Sequence, residues 1–196
     1  MIHEPLKIFY TASIQDTEGR IEFEEMKPCD SLVKGWVLWQ LATFQNYTPE
    51  RTDIFNNLIV ADTDDGLSYN LTALQYASTL GAYGGIQVGS GSTPVTLTDT
   101  RLAAMLPNGV SPGMLQYQNC GGVATTVVGN TSYYGITRAF INGSGGSVVV
   151  SEIGAAVRTN SSSPKMTLIL RDIVGPWTVA NTKTLTVQYL VTTSVI

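Results

Sequence analysis

From Gly84 onward the chain alternates short apolar runs with turn-forming clusters, one strand-length segment roughly every ten residues, and long helices cannot follow that rhythm. The last run shows the period most plainly. Leu185, Val187, Tyr189 and Val191 fall on one side of an extended backbone, while Thr184, Thr186, Gln188 and Thr192 mostly take the other. Further strands are predicted near Gly85 to Val88, Met114 to Gln118, Gly122 to Val128, Tyr133 to Asn142, Ser147 to Arg158 and Lys165 to Asp172. "NGSGG" (Asn142 to Gly146) and "NSSSP" (Asn160 to Pro164) supply turn chemistry between them. The pattern predicts a mainly β fold, an antiparallel β-sandwich or jelly roll. Its final strand is expected to pair with "MTLILRD" across the turn from Gly175-Pro176-Trp177 to Lys183.

The residue types agree with that class. Charged residues make up 13 % of the chain, roughly half the usual ~25 %. Thr, Ser and Asn therefore cover solvent faces that other proteins give to charges. At 196 residues and 21.0 kDa the chain suits one domain with a sizeable core. A single β-sandwich domain is placed at 30–196, after an N-terminal arm at 1–29 in which Ile21 and Phe23 alternate with charged residues. Residues 1–26 of that arm are expected to become ordered only against neighbouring subunits. An apolar helix is predicted over about 31–45, capped by Asp30 or Ser31, because Leu32, Trp36, Trp39 and either Leu41 or Phe44 recur at helical spacing. Trp36, Trp39, Phe44, Ile21 and Phe23 are the candidate interface residues. A second, short helix is expected at "TDTRLAAML" with Asp99 as its cap, and shorter strands at "LIVAD" (Leu58 to Asp62) and "SYNLTALQY" (Ser68 to Tyr76).

Several functions are argued against by what the residues lack. The net charge of −4 and the absence of a clustered basic face speak against nucleic acid as a partner. No apolar run reaches the ~18 residues that cross a bilayer, so no membrane partner is expected. The glycine-dense stretch "GGIQVGSGS" (Gly84 to Ser92) resembles a phosphate loop, but Gly89-Ser90-Gly91-Ser92-Thr93-Pro94 runs into extended chain and no Lys follows. It is read as a turn between strands. The only histidine is His3, and Ser90, Ser92 and Ser144 sit in Gly-Ser loops outside any nucleophile elbow, so no catalytic residue is assigned. Glu152 and Asp172 are a carboxylate pair on paper, read instead as solvent-facing groups or partners of Arg171 and Arg158. Asp62, Asp64 and Asp65 hint at calcium, yet the loop fails the EF-hand pattern at Gly66 and Ala73. Neither a cofactor nor a metal is assigned. Cys29 and Cys120 belong to no CxxC and are expected to be free thiols.

One set of motifs extends past these bounds. "GIQVGSGSTPVTLTDTRLAAML", "GMLQY", "YGITRAFINGSGGSVVVSEIGAAV" and "LILRDIVGPWTVANTKTLTVQYLVTT" resemble the repeating plan of a family of small structural proteins from tailed bacteriophage virions. The match covers roughly residues 84 to 193, and "GWVLWQLATF" is similar in placement. Pro176 and Trp177 in the final turn and the N-terminal arm depart from it. The resemblance implies a virion component without enzyme activity, made in the bacterial host cytoplasm and repeated as a homo-oligomer around the particle. Its partners would be the major capsid protein, for a capsid decoration or cement protein, or tail and collar proteins, for a tail, collar or fibre-base component. From a different class, a carbohydrate-binding β-sandwich would stack sugars on Tyr69, Tyr83, Tyr133 or Tyr134.

Overall fold

The computed structural model of the chain describes residues 7–29, 32–33, 51–52, 54, 58–59, 84–158 and 166–194. Among them every regular element is a strand and every pairing is antiparallel. In chain order they are β1 (Lys7–Gln15), β2 (Ile21–Pro28), β3 (Arg51–Thr52), β4 (Leu58–Ile59), β5 (Gly85–Gly89) and β6 (Gln116–Tyr117). Then follow β7 (Gly121–Val128), β8 (Thr131–Ile141), β9 (Val148–Arg158), β10 (Met166–Val179) and β11 (Thr184–Ser194). A six-stranded sheet runs β2-β1-β11-β8-β6, with β7 also on β8. A three-stranded sheet runs β10-β9-β5, and β3 pairs with β4.

One apolar core draws on both larger sheets. Tyr10, Phe140, Leu185 and Val187 come from the six-stranded sheet, and Val88, Val150, Ile153 and Val179 from the three-stranded one. Burying a side chain of this kind stabilises the fold by about 1.5–3 kcal/mol. A second, smaller cluster of Val33, Ile54, Leu102, Ala156, Met166 and Leu168 lies on the other face of the small sheet. The small sheet is therefore buried on both faces, and β5 and the first half of β10 read as unbroken buried runs. The large sheet keeps one face toward solvent, so β1 and β11 alternate buried and partly exposed residues.

Four expectations change in the structure. Residues 7–28 of the arm segment 1–29 are two strands of the large sheet, β1 lying between β2 and β11. Their alternation puts Ile8, Tyr10, Ala12 and Ile14 in the core, which a detached arm would leave in water. The apolar helix over about 31–45 is not seen. Its span lies outside the described residues except for Leu32 and Val33, which are extended: Leu32 bridges Leu170, and the Val33 N–H donates to the Ile169 carbonyl at 3.3 Å. The short helix at "TDTRLAAML" is replaced by turns, because Asp99 accepts from the Thr96 N–H at 2.9 Å and hydroxyl at 2.7 Å and closes a turn instead of capping a helix. Finally, β11 does not pair with β10 but with β1 and β8. The chain switches sheets at Ala180 to Lys183, where Asn142 exchanges backbone bonds with Lys183 (2.9 Å) and Thr182 (2.7 Å) while its amide donates to the Val179 carbonyl at 2.7 Å. "LIVAD" is described at β4 alone, and "SYNLTALQY", "NSSSP" and the three aspartates at 62–65 lie outside the described residues.

Candidate functional site

The glycine stretch does cradle an anion, and the anion belongs to the chain itself. Glu152 on β9 projects from the face of the small sheet opposite the main core and is fully buried. Its carboxylate accepts the N–H groups of Gly91 (3.1 Å), Ala103 (3.0 Å) and Ala104 (2.7 Å) and the Arg171 Nε at 2.9 Å. A Cβ at Gly89 would sit 2.7 Å from the Ala104 carbonyl oxygen, and one at Gly91 would sit 2.8 Å from the Ala103 Cβ, so neither position admits a side chain. Glycine is needed because backbone must approach a buried carboxylate closely.

Arg171 on β10, paired in register with Gly154, completes the network. Its guanidinium donates to Asp99 Oδ2 at 2.6 Å and to the Thr93 carbonyl (3.0 Å) and hydroxyl (3.1 Å). Burial works against the charge on Arg171, but the bonds from Asp99 and Glu152 outweigh it and hold the group above its ordinary value. Burial likewise opposes ionisation of Asp99, and the Thr96 donors together with Arg171 reverse this, so its carboxyl lies below the usual range. Arg171 thus pins Thr93 and Asp99, and Glu152 pins Ala103 and Ala104, against the sheet.

Asp172, the next residue, points the other way, as consecutive strand residues must. It is buried in the core, where the Cys29 thiol and the Tyr189 hydroxyl each donate to its Oδ2 at 3.0 Å. Burial, and then the Asp172 charge, push the Tyr189 hydroxyl well above its ordinary value. Glu152 and Asp172 therefore lie on opposite faces of one sheet and cannot flank a glycosidic bond; neither is a solvent-facing group, which corrects that half of the expectation, while Glu152 has the expected arginine partner in Arg171. Both cysteines are buried free thiols.

Sequence reading missed two polar anchors, Arg138 and Tyr117. The Arg138 side chain donates to the carbonyls of Gln118 (2.7 Å), Gly84 (2.9 Å) and Ile86 (2.7 Å) and stacks 5.1 Å above the Tyr117 ring. The Tyr117 hydroxyl donates to the Leu106 carbonyl at 2.7 Å. An arginine amid an apolar strand pattern, "YGITRAF", was the available signal for a buried cation.

Of the candidate interface residues, Ile21 is exposed on the edge strand β2, whereas Phe23 packs on Trp177 with ring centroids 6.1 Å apart. Trp36, Trp39 and Phe44 lie outside the described residues, as do Tyr69 and Tyr83. Tyr133 and Tyr134 take opposite faces of β8 and form no shared platform. Tyr134 turns inward and its hydroxyl is buried, while Tyr133 lines a groove on the solvent face of the large sheet.

That groove has a volume of about 320 Å³. Phe9, Met26, Tyr133 and Leu190 form its apolar part, and Lys7, Thr192 and the hydrogen-bonded pair Thr131–Ser194 (2.9 Å) its rim. Gly135, opposite Leu190, lets the strands pass closely here: a Cβ would lie 2.5 Å from the Tyr189 carbonyl oxygen and 2.9 Å from Leu190 Cδ2. Among the described residues, no three His, Cys, Asp or Glu side chains gather as a metal site, and no helix is long and apolar enough to cross a membrane. Comparison with known proteins finds no family model, no curated protein and no solved structure that matches the chain.

Proposed function

We propose that the chain is a structural component of a tailed bacteriophage virion, most simply a capsid decoration or cement protein that works by contact and not by catalysis. A tail, collar or fibre-base position is the alternative place in the particle. In this reading the two larger sheets are the halves of a β-sandwich, and the partners are other virion proteins and further copies of this chain.

The observation that carries the reading is where the chain leaves apolar side chains outside. Ile21 and Met26 are exposed on β2, and Val127 and Val128 on β7, the two flanks of the large sheet. Among the described residues neither flank is paired on its outer side. Buried charges, by contrast, are committed to holding segments of this chain in place. Open sheet edges with apolar side chains suit lateral contact with neighbouring subunits. The resemblance of residues 84 to 193 to virion structural proteins supplies the kind of assembly. Among the described residues, a sugar-binding reading draws on Tyr133, which reaches the groove while Tyr134 does not.

Electron cryomicroscopy of particles from the phage that encodes the chain tests the proposal. Density repeated with shell symmetry is the expected result, and density confined to the tail axis or collar selects the alternative place. Particles that lack the chain by mass spectrometry would overturn both.

A further inference from the structure

The solvent face of the large sheet holds a groove and an apolar tip side by side. The tip is the two-residue turn Gly129-Asn130 between β7 and β8, with Gly129 at a φ of 59°, and the valines that precede it. Val127 is 67 % exposed and Val128 62 %. Val128 pairs in register with Thr131, which lines the groove, so the tip begins where the groove ends.

We propose that two copies of this chain associate about a two-fold axis at this end of the large sheet, the tip of each seated in the groove of the other through Val128, the tip valine on the groove's face. The inference rests on the structural-protein reading and names one contact within it. Three observations select a second copy as the occupant. The groove's volume of about 320 Å³ sits at the small end for ligand sites and suits one or two side chains. Its wall is mostly apolar, and of its four hydroxyls the pair on Thr131 and Ser194 are bonded to each other, which leaves those of Tyr133 and Thr192 to grip a sugar. Charge then separates the flanks. At a net charge of −4, two copies are better joined where acidic groups do not meet, and the charged residue lining the groove is the cation Lys7. No Asp, Glu, Lys or Arg occurs between Arg101 and Arg138, so the whole tip is neutral. On β2, by contrast, Glu22, Glu24 and Glu25 would face their own copies. A tip and a groove adjacent on one face form the self-complementary patch that an isologous contact requires.

Sedimentation of the purified full chain over a wide concentration range tests this. The mass is expected to rise from 21.0 kDa toward twice that value, and Val128→Lys is expected to stay monomeric with unchanged circular dichroism and melting temperature. An oxidised mixture of the single variants Val128→Cys and Met26→Cys, which lie at the tip and in the groove, is expected to yield a cross-linked heterodimer. A wild-type chain monomeric throughout, or a dimer indifferent to Val128→Lys, overturns the contact. Saturable glycan binding that is lost in Tyr133→Ala overturns it in favour of a sugar. Because the readout is mass in solution, the contact can fail while the chain is still found in particles, and the reverse.

Discussion

The small sheet closes its edges with its own chain, while the large sheet leaves its flanks open among the described residues. On β10 the outer edge is met by Leu32, Val33 and Ile54, whose N–H donates to the Met166 carbonyl at 2.9 Å. On β5 the Leu106 N–H donates to the Val88 carbonyl at 2.9 Å, and the Ser90 N–H to the Ala104 carbonyl at 2.8 Å. These covering segments are irregular, and irregular backbone over a buried face needs partners for its polar groups. Glu152 and Arg171 supply them. The large sheet also buries one cation, Arg138, but its second face is solvated and its flanks are unpaired among the described residues, so they are open to contacts outside the chain. Buried ions fasten covering segments onto one sheet, and exposed apolar side chains on the flanks of the other are left to meet a neighbour.

The sharpest way to break that contrast is to remove the anchor. Arg171→Met is expected to cost about 3–5 kcal/mol in chemical denaturation, because it strands the Glu152 carboxylate in a dry site. Glu152→Gln, whose single amide oxygen can still accept from the Gly91 and Ala104 N–H groups while its NH2 replaces the oxygen that met the Ala103 N–H and Arg171, should cost less than Glu152→Leu; equal losses would mean those backbone bonds contribute little. Gly89→Ala tests the close approach and is expected to lose about 1–3 kcal/mol, measured by thermal unfolding.

A smaller effect separates charge from shape. Asp99→Asn is expected to cost about 1 kcal/mol at neutral pH, reduced from a fully buried pair by solvent screening. The Asp99 carboxyl is lowered in the folded chain, so its contribution is present above the ordinary Asp value near ~4 and is lost as pH falls through the lowered value. Melting curves of Asp99→Asn and wild type should therefore converge on acidification. A gap that widens in acid would contradict the Asp99–Arg171 pairing. The smallest effect belongs to the open flank: Ile21→Ser is expected to change stability by less than about 0.5 kcal/mol, since the side chain is already in water.

Much of the strand pattern was legible because alternation is local. β5, β7, β8, β9 and β11 lie within a few residues of their predicted spans, and Leu185, Val187 and Tyr189 face inward as their spacing requires. The strand at Lys165 to Asp172 extends further, to Val179, through an irregularity between Ile173 and Trp177 that Gly175-Pro176 disguised as a turn. The candidate site was much less legible. Glycines at 89 and 91 mark close approach to something, but whether that is a phosphate, a neighbouring strand or a buried glutamate is decided by a residue about sixty positions away in sequence. The groove was hidden for another reason. Phe9 and Leu190 stand at solvent-face positions of β1 and β11 and become neighbours only through their pairing.

The β class, most strand positions and the inward faces follow from local sequence, since each depends on the period of side chains along a few residues. Tertiary structure alone decided that the N-terminal segment enters the sheet, that β11 lies beside β1 and not β10, and that Glu152, Arg171 and Asp172 are buried. Those outcomes turn on pairings such as Tyr10 with Tyr189, made between opposite ends of the chain. A local period says which way a side chain points, but not what the long-range contact places in front of it.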